Sequence, residues 1–85
     1  MKLHVLYFAA LRERVGRANE TVDAPDGVTN VAQLRAWLAQ RGEPWQTAFT
    51  ETRGIRAAVD QVMVDQKHAV HDGAEVAFFP PVTGG

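Results

Sequence analysis

Few residues in this sequence can do chemistry, and those few lie at one end. Cys is absent from the 85 residues, and so is Ser. Thiolate metal sites and thiol or serine nucleophiles are therefore excluded, and no Thr sits in a nucleophile motif. His68 and His71 stand three apart beside Asp65 and Asp72, but in a stretch that reads as loop. Catalytic zinc needs three well-placed ligands, so these histidines are read as solvated and no metal site is expected. The glycines are too scattered to cradle a phosphate. What remains is the run Phe78-Phe79-Pro80-Pro81-Val82-Thr83-Gly84-Gly85. Gly84 and Gly85 have no side chain to bury and add nothing to a core. They leave a carboxylate on a thin tip that could enter a narrow site. A carboxylate becomes an acyl donor once its oxygen is made a leaving group. Adenylation by ATP does this, and a sulfur nucleophile displacing AMP would leave a thiocarboxylate. A Gly-Gly end alone is equally compatible with a frayed terminus.

The preceding residues must aim that tip. Residues 75–79 read as a strand that Pro80 and Pro81 stop, since neither proline can donate a ladder hydrogen bond and each fixes φ near −65°. Each proline also biases the residue before it toward extended geometry. Residues 80–85 are thus expected to leave the sheet as a short stiff rod with a flexible tip, held away from the globular body.

Residues 2–8 are strand-like. Leu3, Val5 and Tyr7 form an apolar parity, with Lys2, His4, Leu6 and Phe8 on the other. A short helix is expected over residues 9–15, a strand over 19–24 pairing with the first, and a turn at Pro25-Asp26-Gly27. Asn30 caps the main helix, with Gln33 at N3 of a capping box and Val31, Leu34, Trp37 and Leu38 as its apolar stripe. Gly42 closes it, Pro44 opens a helical turn through Phe49, and residues 51–54 are loop. Both tryptophans read as core. Residues 55–64 are extended with a bend at Asp60-Gln61, Val62 and Val64 facing inward. A loop with one weak pairing follows over 65–71, then a turn at Asp72-Gly73 and the last strand at 74–79. This order argues for an α+β domain with the main helix on one face of a sheet. Phe8, Met63 and Phe79 fall on the polar parity of their strands, and outward apolar residues beside an extended tail describe a docking face.

A chain of this length builds one modest core, so residues 1–85 are one domain. Net charge is −1 and 46% of residues are hydrophobic. Neither value suggests nucleic-acid or membrane binding. No run approaches a membrane span, and residues 1–4 lack a signal-peptide layout. The cytoplasm is the expected compartment.

The C-terminal run closely resembles the end of the small, sulfur-carrying subunit of molybdopterin synthase, a ubiquitin-like family. Residues 5–13, Val-Leu-Tyr-Phe-Ala-Ala-Leu-Arg-Glu, and residues 57–64, Ala-Ala-Val-Asp-Gln-Val-Met-Val, resemble the same family. The likeness departs at Asp60, where the family usually carries Asn, and in residues 65–71. It implies the β-grasp fold, with the first and last strands parallel and adjacent. It also implies a non-catalytic carrier that binds no cofactor itself. An E1-like enzyme using ATP would adenylate Gly85, and a sulfur donor protein would supply the thiocarboxylate. The large synthase subunit would receive the arm Pro80, Pro81, Val82, Thr83 and Gly84. Sulfur would pass there to cyclic pyranopterin monophosphate, in a heterotetramer. Phe8, Met63 and Phe79 would form the partner patch, with Arg12 and Glu13 near partner surfaces. A thiamine-type sulfur carrier and a ubiquitin-like protein modifier share the same terminal chemistry.

Overall fold

A computed structural model of the chain describes residues 1–81. Strand β1 spans Lys2–Tyr7, helix α1 Ala9–Val15 and strand β2 Asn19–Asp23. Helices α2, Val31–Gln40, and α3, Trp45–Glu51, follow. Strands β3, Arg56–Val59, β4, Val62–Val64, and β5, Glu75–Phe79, complete the order. The five strands form one mixed sheet in the order β2-β1-β5-β3-β4. β1 and β5 run parallel at its centre, with Tyr7 opposite Phe78. All other pairs are antiparallel. This is the β-grasp arrangement, and the α+β expectation holds.

The parities explain the layering. Leu3, Val5 and Tyr7 of β1 and Val76 and Phe78 of β5 are buried, together with Leu34 and Leu38 of α2. Phe49 of α3 stacks edge-on to Phe78 at 5.3 Å and to Tyr7 at 6.3 Å. It thereby pins the two central strands where the chain will leave the sheet. Asn30 accepts from the Gln33 amide at 2.8 Å, as a helix cap should. The return bond of the capping box goes elsewhere: the Gln33 side chain accepts from the amide and hydroxyl of Thr29.

The bend expected at Asp60-Gln61 is a full reversal. Both residues adopt positive φ, 49° and 70°, the backbone that a tight two-residue hairpin requires. β4 therefore folds back along β3 as an edge strand, with β3 its one neighbour among the described residues. Val62, expected inward, lies at the turn end of that edge and is 63% exposed; Val64 is half-buried. Glu51, expected in a loop, ends α3. The weak pairing expected in residues 65–71 is a bridge between Asn30 and Ala69.

The tryptophans are half-buried rather than fully core, and Trp45 belongs to a polar cluster. Glu20 of β2 accepts from Tyr7 Oη at 2.7 Å, Trp45 Nε1 at 3.0 Å and Arg41 Nη2 at 3.0 Å. The Arg41 guanidinium also covers the Trp45 ring at 4.1 Å. Burial pushes the Tyr7 phenol well above its ordinary value, and Glu20 beside it adds to the shift. Burial alone would raise the Glu20 carboxyl. Hydrogen bonds from Arg41, Tyr7 and Trp45 outweigh it and hold Glu20 below its ordinary 4.5.

Glu20→Ala will strand the buried Tyr7 hydroxyl and the Trp45 N–H. The expected cost is about 1–3 kcal/mol, read as a lower denaturation midpoint in urea. Because the folded-state value is depressed, this stabilisation is present above pH 4.5 and lost as pH falls through the lowered value. The gap between wild type and Glu20→Ala should therefore narrow in acid. A gap that does not change with pH would contradict the assignment.

Candidate functional site

The outward face of the sheet is read row by row from the strand register. Leu6 of β1 lies opposite Ala77 of β5, Ala77 opposite Ala58 of β3, and Ala58 opposite Met63 of β4. The next row sets Phe79 opposite Arg56. Phe8 adjoins that row, its amide donating to the Phe78 carbonyl at 3.1 Å. The face thus has a floor of two small alanines with Leu6, Phe8, Phe79 and Met63 around it. Cross-strand neighbours on one face are about 5 Å apart, so this is one contiguous surface.

Phe8 owes its position to a sharp exit from the strand. It caps α1 in extended conformation, φ −124°, and Ala9 after it is in the left-handed region at φ 52°. That backbone costs a residue with a Cβ about 1–2 kcal/mol, and strain of this kind concentrates at functional surfaces. Phe8 is 46% exposed and Met63 56%. Phe79 lies on the same face but is half-buried. All three residues expected outward lie on this face, Phe79 with the least exposure. Leu6, Ala58, Ala77 and Arg56 complete the surface and were not singled out from sequence. Their signal lay in the cross-strand register, which one strand's alternation does not reveal. Arg12 and Glu13 are exposed on α1, directly after Phe8.

The exit of the arm is anchored. Pro80 is half-buried. A Cβ placed on Gly54 would stand 3.1 Å from Pro81 Cγ, so Pro81 passes close over a residue at φ 67° that has no side chain. The rod thus starts against the loop before β3; the tip it was expected to hold away from the body falls among residues not described. Val82, Thr83, Gly84 and Gly85 lie outside the described residues.

His71 is not oriented toward His68. Its Nε2 lies 2.9 Å from Asp60 Oδ2 and its Nδ1 3.1 Å from the Asp72 carbonyl. Both neighbours are acceptors, so the protonated ring, with a donor at each nitrogen, is the form they favour. The Asp60 hydrogen bond, then the Asp72 carbonyl, accordingly raise His71 above its ordinary value. No group of three His, Cys, Asp or Glu close enough to hold a metal occurs among the described residues. No helix among them is long and apolar enough to cross a membrane.

A family model described as the ThiS family matches residues 5–85. The chain belongs to this family. It is 45% identical over 83 residues to the molybdopterin synthase sulfur carrier subunit of Escherichia coli, covering 98% of this chain and 99% of that one. Among solved structures it resembles a putative molybdopterin converting factor, subunit 1, from Pyrococcus furiosus, with a TM-score of 0.79 and 27% identity. That match covers 96% of this ThiS-family chain and 99% of the other. It also resembles a chain in a complex of subunits 1 and 2 of the molybdopterin-converting factor from Helicobacter pylori. There the TM-score is 0.65 and the identity 25%, with full coverage of both chains.

Proposed function

We propose that this ThiS-family chain is the sulfur carrier subunit of a molybdopterin synthase. The observation that carries the reading is the coincidence, at one end of the sheet, of the apolar face and the exit of a Pro-Pro-Val-Thr-Gly-Gly arm. The Escherichia coli relative bears that name over the whole length of the match. In the Helicobacter pylori structure a similar chain is seen with subunit 2, which supports a large synthase subunit as this chain's partner; the heterotetramer is part of the proposal alone.

In the proposed cycle an E1-like enzyme brings the Gly85 carboxylate to the α-phosphate of ATP, and pyrophosphate leaves. A sulfur donor protein supplies sulfur that displaces AMP, leaving the thiocarboxylate. The large subunit then takes the arm from Pro80 to Gly84 into its active site, where the Gly85 sulfur bonds to cyclic pyranopterin monophosphate and water cleaves the acyl–sulfur bond, leaving sulfur on the pterin and restoring the Gly85 carboxylate. The chain holds no cofactor, acts in the cytoplasm and has no turnover of its own. Its contribution is mechanical. The strand β5 fixes the origin of the arm, the prolines limit its conformations, and the glycines let the carboxylate pass a narrow channel. Limiting conformations beforehand lowers the ordering cost of insertion.

The experiment is recovery of the tagged chain from its own cells with covalent and non-covalent partners identified. A synthase large subunit is expected. Recovery with a thiazole synthase instead, or in isopeptide linkage to lysines, would replace this reading by a thiamine-type carrier or a protein modifier.

A further inference from the structure

The edge strand β4 pairs with β3 alone among the described residues. Its other side carries no strand among the described residues, and an open edge is a template for another extended chain. Beside it, between α2 and β4, runs a groove of about 340 Å³. Val31, Ile55, Ala57, Val64 and Phe78 supply its apolar lining.

Two arginines line the same groove, Arg35 of α2 and Arg56 of β3, against a single carboxylate, Asp65. Arg35 is held in place: its Nη2 donates to the Phe49 carbonyl at 3.2 Å and its guanidinium lies 6.0 Å from the Phe49 ring centre. Arg56 is exposed and stands opposite Phe79. The groove is continuous with the outward face, because Arg56 and Met63 belong to both.

We propose that this groove receives an extended segment of the synthase large subunit, added as a strand to the β4 edge. The segment carries an apolar side chain and a carboxylate on successive residues. The spacing follows from strand geometry, in which successive side chains face opposite sides of the sheet, as Val64 lies on the core side and Arg56 on the outward side. The apolar side chain meets Ile55 and Val64, and the carboxylate meets the Arg56 guanidinium, whose planar donors match it. In strand addition the main chain supplies affinity and such side-chain pockets supply selectivity. The volume lies at the small end of ligand clefts, about 300–1,000 Å³, as suits one or two side chains of a strand. The proposal rests on the large subunit being the partner, and it adds a second contact region to the alanine-floored face.

The test is methyl and amide NMR of the full chain titrated with the large subunit, together with binding titrations of Arg56→Glu and Arg56→Gln. At saturation the Ile55 and Val64 methyls should shift and the amides of residues 62–64 should gain protection from exchange. Arg56→Glu should weaken binding about 10-fold or more, Arg56→Gln by less, with unchanged melting temperature, and the loss should shrink in high salt. Shifts confined to Leu6 and its neighbours, with the Ile55 and Val64 methyls unmoved, would overturn the groove contact and leave the face as the sole interface. Movement of neither set would remove the large subunit itself as partner. Groove shifts produced only by the activating enzyme would overturn the occupant proposed here.

Discussion

Gly84→Val, and a variant with one residue added after Gly85, will fold as the wild type does and will fail to become thiocarboxylated. The folding half follows from the residue type: the buried apolar residues described run from Leu3 to Phe78, and a glycine has no side chain to contribute to a core. The chemical half follows from geometry. In the proposed cycle the carboxylate must meet the α-phosphate in line, and misplacement of about 1 Å can cost 10²-fold. An added residue carries the reactive group several times that distance, about 3.3 Å. A β-branched side chain at position 84 widens the tip and stiffens it. Both variants should therefore lose 10²-fold or more of the rate at which intact protein gains sulfur, with melting temperature unchanged. A comparable rate in either variant would reject the inserted arm.

Phe8→Ala and Met63→Ala will weaken binding to the large subunit far more than they weaken the fold. Each side chain is about half exposed, so truncation removes little packing. An interface anchor of this type costs about 2 kcal/mol or more, which is roughly 30-fold in affinity at 1.4 kcal/mol per tenfold. Phe79→Ala is a mixed case because Phe79 is partly covered, and it should lower both affinity and stability. Phe78→Ala is the contrasting control. Its ring is fully buried against Phe49, and its loss should cost about 3–5 kcal/mol of stability. Binding titrations beside melting curves separate the four. Unchanged affinity in Phe8→Ala together with a large stability loss would place Phe8 in the core and remove the docking face.

Much of this was legible in the sequence because each strand carries its own alternation. Leu3, Val5 and Tyr7 had to face one way, and Val76 and Phe78 likewise, so the core of β1 and β5 followed from local spacing. The reversal at Asp60-Gln61 was less visible, since neither residue is the glycine that usually marks positive φ at both positions. Reading the step as a bend turned Val62 inward, whereas the hairpin leaves it on an edge. The partners of Glu20 were invisible for another reason. They come from β1, the residue that caps the end of α2 and the start of α3, and no periodicity links residues so far apart. The docking face was half legible. Phe8 and Met63 announced themselves as apolar residues on a polar parity, but Ala58 and Ala77 look like strand filler until the register sets them between Leu6 and Met63. Arg56 and the groove beside β4 needed the hairpin first.

The central claim is that the chain is a sulfur carrier whose reactive group is the Gly85 carboxylate. Intact-protein mass spectrometry tests it most directly, after incubation with an E1-like activating enzyme, ATP and a sulfur source, and again after addition of the large subunit and the pterin precursor. The account predicts a gain of one oxygen-to-sulfur exchange, located in the fragment that ends at Gly85, and a return to the starting mass as molybdopterin forms. No gain in mass, or a gain that persists when precursor and large subunit are both present, would contradict it.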